Sequence, residues 1–428
     1  MGAARAKQTR RRPVRGARGR RRAGYAPRRS LAVVRCSRAT SFDASLKPPT
    51  TPRHSPETGQ RYRGHSPFGP KARIAKYLCT TNKERRIAHV LVAPDKFRST
   101  ASAQAVAAAC GRAAAAMGHV AELLPLADGG EGLLEVVGGS LKTTVVHGPL
   151  GEEVAASWRL LEGSQGAAHP TAVIEMAAAS GLELVGGAPG NDPMAASTRG
   201  TGELIEAALN AGARRIIVGL GGSATTDGGV GALEVIADDV RLSDTELLVA
   251  CDVTTTFVFA AEVFGPQKGA TPAMVGLLGR RLDSLAEHYL ERFGVDVRKI
   301  PGSGAAGGLG GGLAVLGAHL SSGFDLVADL LGLERAIERA DIVITGEGRL
   351  DVTSFTGKVV GSLRDQVAGR AAVACIVGEA TPDALALAGD MTVLSLSDRY
   401  GGEKARSDTE ALIESTCTEY LAAWSPRR

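Results

Sequence analysis

Residues 201–229 read TGELIEAALNAGARRIIVGLGGSATTDGG. TGELIEAALNAG reads as a helix, RRIIVGL as a buried strand, and the chain then opens into a glycine-rich turn. The run TAVIEMA at 171–177 supplies a strand ahead of the helix. A strand, a helix and a second strand in that order make a crossover unit, which places its two strands parallel. The alternation extends outward in both directions. Toward the N-terminus, IAHVLVAP is a short buried strand, SAQAVAAACGRAAAAMG an Ala-rich helix that Gly118 stops, and VAELLPLA a second strand. Toward the C-terminus, ADIVITG, AAVACIVG and TVLSL continue as strands, and SDTEALIESTCTEYLAAW is the last helix. The expected fold class is α/β with a largely parallel sheet.

Composition points the same way. The hydrophobic content of 44% with only 4% aromatics suits strands buried on both faces, and 428 residues are enough for two domains. The 55 glycines cluster beside apolar runs with no three-residue period, which excludes a collagen-like chain and favours backbone-lined turns. The net charge of +5 hides a division: residues 1–86 hold 24 of the 50 Lys and Arg but 3 of the 45 Asp and Glu. That extension, net +21 and rich in Arg, Pro, Ser and Gly, is expected to be disordered. Three accounts of it stand: a start placed too far upstream, an organellar transit peptide, or a basic binding arm. The remainder, residues 87–428, carries net −16, which argues against nucleic acid as its main ligand and leaves such binding to the extension alone. Cys36, Cys79, Cys110, Cys251, Cys375 and Cys417 show no metal-ligand spacing and read as reduced thiols, mostly buried. Pro301–Phe324 is too rich in glycine for a membrane span. A soluble, cytoplasmic protein is expected, or an organellar one if the extension is a transit peptide.

Five clusters with chemical potential follow predicted strands or glycine turns, and open α/β sheets bind ligands at the carboxyl ends of their strands. In VLVAPDKFRST, Asp95, Lys96 and Arg98 leave a strand just before a helix, where cations and free N–H groups hold a carboxylate or phosphate; an Asp cap with solvated neighbours is the alternative. LADGGEGL puts Asp128 and Glu131 in one glycine turn, suited to Mg²⁺ or proton transfer, or to a plain turn. GLGGSATTDGG offers Gly221, Gly222, Ser223, Thr225, Thr226 and Asp227 as an anion cradle, without being a Walker A or GxGxxG loop. PGSGAAGGLGGGLAVLGAHL allows either close approach of a nucleotide or tight helix packing. In DIVITGEGRLDVTSFTGK, Glu347, Arg349, Asp351 and Lys358 follow a strand and would position metal and polyphosphate together, or form a salt-bridged loop. No HExxH or GxSxG motif is present.

Taken in order, APDKFRS at 93–99, ADGGEG at 127–132, STRGTGELI at 197–205, GLGGSATTDGG at 219–229, ACDV at 250–253, FGPQKGA at 264–270 and TGEGRLD at 345–351 resemble the bacterial-type glycerate kinase family. The resemblance runs from about Val90 to Lys358 and more loosely to the C-terminus. It implies a Rossmann-like parallel-sheet domain with a smaller α/β domain inserted into it and the active site in the cleft between them. It also implies transfer of the ATP γ-phosphoryl to D-glycerate with Mg²⁺, giving 2-phosphoglycerate. Carried over by motif, Lys96 and Arg98 would engage the substrate carboxylate or the moving phosphoryl, and Asp227 would be the base. Asp95, Thr198, Arg199 and Ser223 would contact substrate. Gly221, Gly222, Thr225, Thr226, Glu347, Arg349 and Lys358 would hold the nucleotide, and Asp128, Glu131, Asp252 and Asp351 the metal. Two stretches depart from the family pattern, both expected near the cleft: the short connection after GGVGAL, and CDVTTTFVFAAEVFGPQ. A kinase for another small hydroxy acid, and a nucleotide-binding regulatory module without catalysis, are the rival readings.

Overall fold

The computed structural model describes residues 87–163 and 169–425; the basic extension at 1–86 lies outside these residues, and with it the expectation of its disorder. Eleven strands follow in chain order: β1 His89–Val92, β2 Val120–Leu123, β3 Ser140–His147, β4 Glu153–Leu161, β5 Thr171–Glu175, β6 Arg215–Gly219, β7 Glu246–Ala250, β8 His319–Ser321, β9 Ile342–Leu350, β10 Ala372–Ala380 and β11 Thr392–Ser395. They form a five-stranded sheet in the order β11-β10-β9-β1-β2 and a six-stranded sheet in the order β3-β4-β5-β6-β7-β8. The first sheet is parallel throughout. In the second, β5 to β8 are parallel, whereas β4 runs antiparallel to both β3 and β5. The β3–β4 hairpin departs from the expected crossover pattern because Gly148–Glu152 closes a tight turn, too short to bring the chain back parallel.

The second sheet lies in sequence between β2 and β9 of the first, so the nested organisation agrees with the expectation. Its expected smaller size is corrected: the inserted part carries six strands and the enclosing part five. Strand alternation explains how the two sheets are joined. Val90 and Val92 of β1 face one way, into a core with Ile342, Ile344 and Ile376 that the helices Ala103–Ala116 and Thr409–Ala423 cover. Leu91 and Ala93 face the other way, into a core with Val343 and Val377 that also takes Val173, Ile217 and Leu248 from the second sheet. The central parallel strands of each sheet are therefore buried on both faces, as Val- and Ile-rich parallel strands require, while the edge strand β3 is largely exposed.

Local signals set the helix ends. Ser102 accepts a hydrogen bond from Ala105 N at 3.2 Å to start the helix Ala103–Ala116, and Gly118, at φ 78°, takes the chain out of it. Among the described residues Cys110, Cys375 and Cys417 are buried and Cys251 is partly exposed, all as free thiols, and no helix is long and apolar enough to cross a membrane.

The two departures from the family pattern lie at opposite ends of the second sheet. The shortened connection runs from the helix Val230–Ile236 to the start of β7, where Glu246 N bonds Arg214 O at 2.8 Å, so it sits at the amino end of the strands. That corrects the expectation that it borders the cleft: a helix returning antiparallel to its strands must end there. CDVTTTF follows the carboxyl end of β7 and stays on the side of the functional groups.

Candidate active site

The carboxyl ends of both sheets meet through glycine backbone. A Cβ on Gly219 would stand 2.4 Å from Gly129 O, one on Gly221 3.0 Å from Gly130 Cα, and one on Gly323 1.9 Å from Asp128 O. Real Cβ atoms do not tolerate such distances, so the ADGGEG turn of the first sheet can sit on the end of β6 only because neither side carries a side chain. Glu175, at the end of β5, fastens the same turn by accepting a hydrogen bond from Leu134 N at 2.9 Å.

This close approach gathers carboxylates. Asp95 leaves β1 beside β9, its N–H bonded to Gly346 O at 2.9 Å, so it lies next to Glu347. Asp128 Oδ1 accepts from Gly130 N at 3.2 Å, and Asp252 Oδ1 accepts from Gly323 N at 2.9 Å. Burial, with the Asp128 charge next in weight, pushes Asp95 up to about 6. Burial, opposed by the Gly323 N–H and reinforced by Asp128 and Asp325, takes Asp252 to about 6 as well. Glu347 rises to about 7 because burial and the neighbouring Asp95 and Asp351 outweigh a Ser354 hydrogen bond and Lys358, and its Oε1 is buried with no hydrogen-bond partner. Chains of negative groups that raise one another's pKa mark a site built to receive positive charge or a proton.

The cations stand around them. Lys96 Nζ bridges Glu131 O at 2.9 Å and Glu131 Oε2 at 2.7 Å. Arg98 is exposed at the same strand exit. Lys358, whose Nζ donates to Thr353 Oγ1 at 2.9 Å, acts electrostatically on both Glu347 and Asp252.

A sequence model of the glycerate kinase family matches residues 90–237 and 234–425. The chain belongs to the glycerate kinase family. The match breaks where the sequence carries its shortened connection. The chain is 42% identical to the glycerate 2-kinase of Escherichia coli K12 over 308 residues, 63% of this chain and 79% of that protein. It is 40% identical to the glycerate kinase of Bacillus subtilis 168, over the same shares of each. A crystal structure assigned to glycerate kinase 2 of Salmonella typhimurium LT2 superposes with a TM-score of 0.67 at 34% identity, covering 78% of this chain and 98% of that one.

On this glycerate kinase fold, the expected site residues separate into two sets. Asp95, Lys96, Arg98, Asp128, Glu131, Asp252, Glu347, Lys358 and the turn Gly221–Ser223 come together at the strand ends. The others do not. Arg199 is held by Glu203 at 3.0 Å, which also binds His147 at the end of the edge strand β3, and Arg349 pairs with Glu379 at 2.9 Å. Of the expected metal ligands, Glu131 is committed to Lys96, and Asp351 caps a short 3-10 turn through Thr353 N and Oγ1.

The larger correction concerns the glycine loop. Only Gly221, Gly222 and Ser223 are accessible, whereas Thr225 and Thr226 are fully enclosed and Asp227 is 2% exposed. The second glycine-rich stretch covers them: a Cβ on Gly307 would meet Thr225 O at 2.0 Å, and one on Gly312 would meet Gly228 O at 2.8 Å. Tight packing is thus what Gly304–Gly312 serves in this structure. Asp227 accepts from Thr198 N at 2.9 Å, Thr198 Oγ1 at 2.7 Å, Gly231 N at 3.2 Å and Gly229 N at 3.0 Å. With Thr198 itself buried, three of these donors on Oδ2 and one on Oδ1, Asp227 is drawn into bracing the loop beneath its accessible part. Asp227→Asn is therefore expected to lower unfolding free energy by about 2–4 kcal/mol, since an amide cannot accept all four donors. Urea denaturation checks this, and a normally stable but slow variant would restore the base assignment.

Sequence reasoning passed over Glu175, Lys268 and Asn191. Glu175 carried the same signal as the others, an acid closing a buried strand in TAVIEMA; the other two carried none outside a motif string.

Proposed function

We propose that this glycerate kinase transfers the γ-phosphoryl of ATP to the 2-hydroxyl of D-glycerate in the cytoplasm. The observation that carries the reading is the meeting, at the carboxyl ends of both sheets, of four carboxylates with Lys96, Arg98 and Lys358 in a chain of this family. Phosphoryl transfer needs positioning and charge neutralisation more than a special nucleophile, and that is what this group offers. The turn Gly221–Ser223 and Lys358 receive the nucleotide phosphates. Lys96 and Arg98 hold the glycerate carboxylate. The substrate oxygen forms a bond to the γ-phosphorus as the bond to the β–γ bridging oxygen breaks, ADP leaves, and the hydroxyl proton passes to Glu347. A carboxylate poised at about 7 with one oxygen unpartnered is matched to that task near neutral pH.

The donor set also fits Mg²⁺. Among the described residues no three ligating side chains enclose a cation by themselves. Mg²⁺ requires only one or two carboxylates, completing its shell with phosphate and water. Asp128 and Asp252 would hold it, and it would neutralise charge on the phosphates.

The test is ATP consumption by the full chain with D-glycerate and Mg²⁺, with the product identified by phosphorus NMR. 2-Phosphoglycerate is the expected product. Turnover with a different hydroxy acid but not with glycerate would move the reading to another acceptor, and nucleotide binding with no turnover on any would leave a binding module.

A further inference from the structure

Lys268 is a charged group that the reaction does not touch. It is 2% exposed, and its Nζ donates to Thr225 O at 2.6 Å. The same backbone is held from three other sides. Asn191 Nδ2 donates to Ala224 O at 3.0 Å and to Lys268 O at 2.8 Å, Tyr289 OH donates to Gly228 O at 3.0 Å, and Asp227 gathers the N–H groups of Gly229 and Gly231. Gly269, at φ 91°, lets the FGPQKGA segment reach this place, since a Cβ there would lie 2.5 Å from Ala188 O.

Burying an ammonium costs several kcal/mol, and an unbranched apolar residue of similar length would fill the space without that cost. Burial alone pulls the Lys268 pKa down to about 7, against the pull of Asp227, which shows how little compensation the ammonium receives. Fold stability is thus a poor account of this lysine. Its single bond falls on Thr225, two residues beyond Ser223, the last accessible residue of the turn that meets the nucleotide. We propose that Lys268 is a positioning residue that, by pinning the Thr225 carbonyl, fixes the Gly221–Ser223 turn in the arrangement that receives the phosphates of ATP. The proposal rests on the nucleotide reading of that turn given above.

Lys268→Met and Lys268→Arg test it in the full chain, each measured for melting temperature, affinity for a non-hydrolysable ATP analogue, kcat, and KM for D-glycerate. Lys268→Met is expected to melt no lower than wild type, to bind the analogue about tenfold more weakly and to lose at least about tenfold in kcat. Its KM for glycerate is expected to stay within about twofold of wild type, and Lys268→Arg to recover part of the loss. A purely structural lysine gives a different pattern, in which stability, nucleotide affinity and both kinetic constants decline together. That pattern, or unchanged nucleotide affinity in a stable Lys268→Met, overturns the proposal. If wild type binds the analogue yet does not phosphorylate glycerate, the substrate reading fails while the affinity comparison still decides the role of Lys268. If wild type does not bind it, both fail.

Discussion

Glu347→Gln is expected to cut kcat by about 10²–10⁴-fold while raising the melting temperature at pH 8. Both effects come from the same fact. Glu347 is mostly enclosed, Asp95 lies beside it, and its carboxyl is pushed up to about 7 from an ordinary value of 4.5. A group whose pKa is higher folded than unfolded binds its proton more tightly in the folded state. Its contribution to stability is complete below about 4.5 and is lost as pH rises through about 7. Asp95 and Asp252 act with the same sign between about 4 and about 6. The metal-free protein should therefore melt lower as pH is raised from 4 to 7. Lys268, whose folded pKa lies below its ordinary value, has the opposite sign and adds stability as pH rises above about 7. Gln removes the charge that Glu347 must carry at pH 8, and the gain should be roughly 1–2 kcal/mol after allowing for an amide with an unpaired donor. Turnover and thermal melts measured from pH 5 to 8.5 check both halves. Near-normal kcat would show that Glu347 is not the proton acceptor; a melting temperature below wild type at pH 8 would show that its charge is compensated.

A loss of stability comparable to that of Asp227→Asn is expected from Gly323→Ala. The added Cβ would lie 1.9 Å from Asp128 O and 2.6 Å from Asp128 C, both backbone atoms that cannot rotate away. Relief requires the ADGGEG turn to move off the second sheet, at a cost of about 3 kcal/mol or slightly more. Activity should fall with it, since Asp128 and the Gly323 N–H that Asp252 binds are displaced together. Gly279→Ala is the control: nothing lies within 4 Å of a Cβ there, and it sits inside the helix Pro272–Phe293. It is expected to gain about 0.5–1 kcal/mol, from helix propensity alone. Urea unfolding of the two variants beside wild type gives the comparison; equal midpoints for Gly323→Ala and wild type would mean that the sheet ends do not bear on each other as described.

By itself the sequence determined the strand and helix alternation and which motifs stand at strand ends; the nested organisation came from the family resemblance. Those properties are local: the apolar run of IAHVLVAP, the cap at Ser102 and the stop at Gly118 act over a few residues. They also placed Asp95, Lys96, Asp128 and Glu347 where a parallel sheet exposes its ligand groups, whereas Asp252 was indicated by the resemblance alone. Only the tertiary structure decided which glycine loop faces the cleft and which faces another loop. A glycine leaves the same mark in sequence whether the space beside it is filled by a phosphate or by backbone eighty residues away, as Gly307 fills it for Thr225. The burial of Asp227 was hidden for the same reason, because its four donors come from two segments that meet only in the folded chain. Lys268 was hidden too, since burial of its ammonium follows from the packing of FGPQKGA against the covered loop and from nothing in its neighbours along the chain.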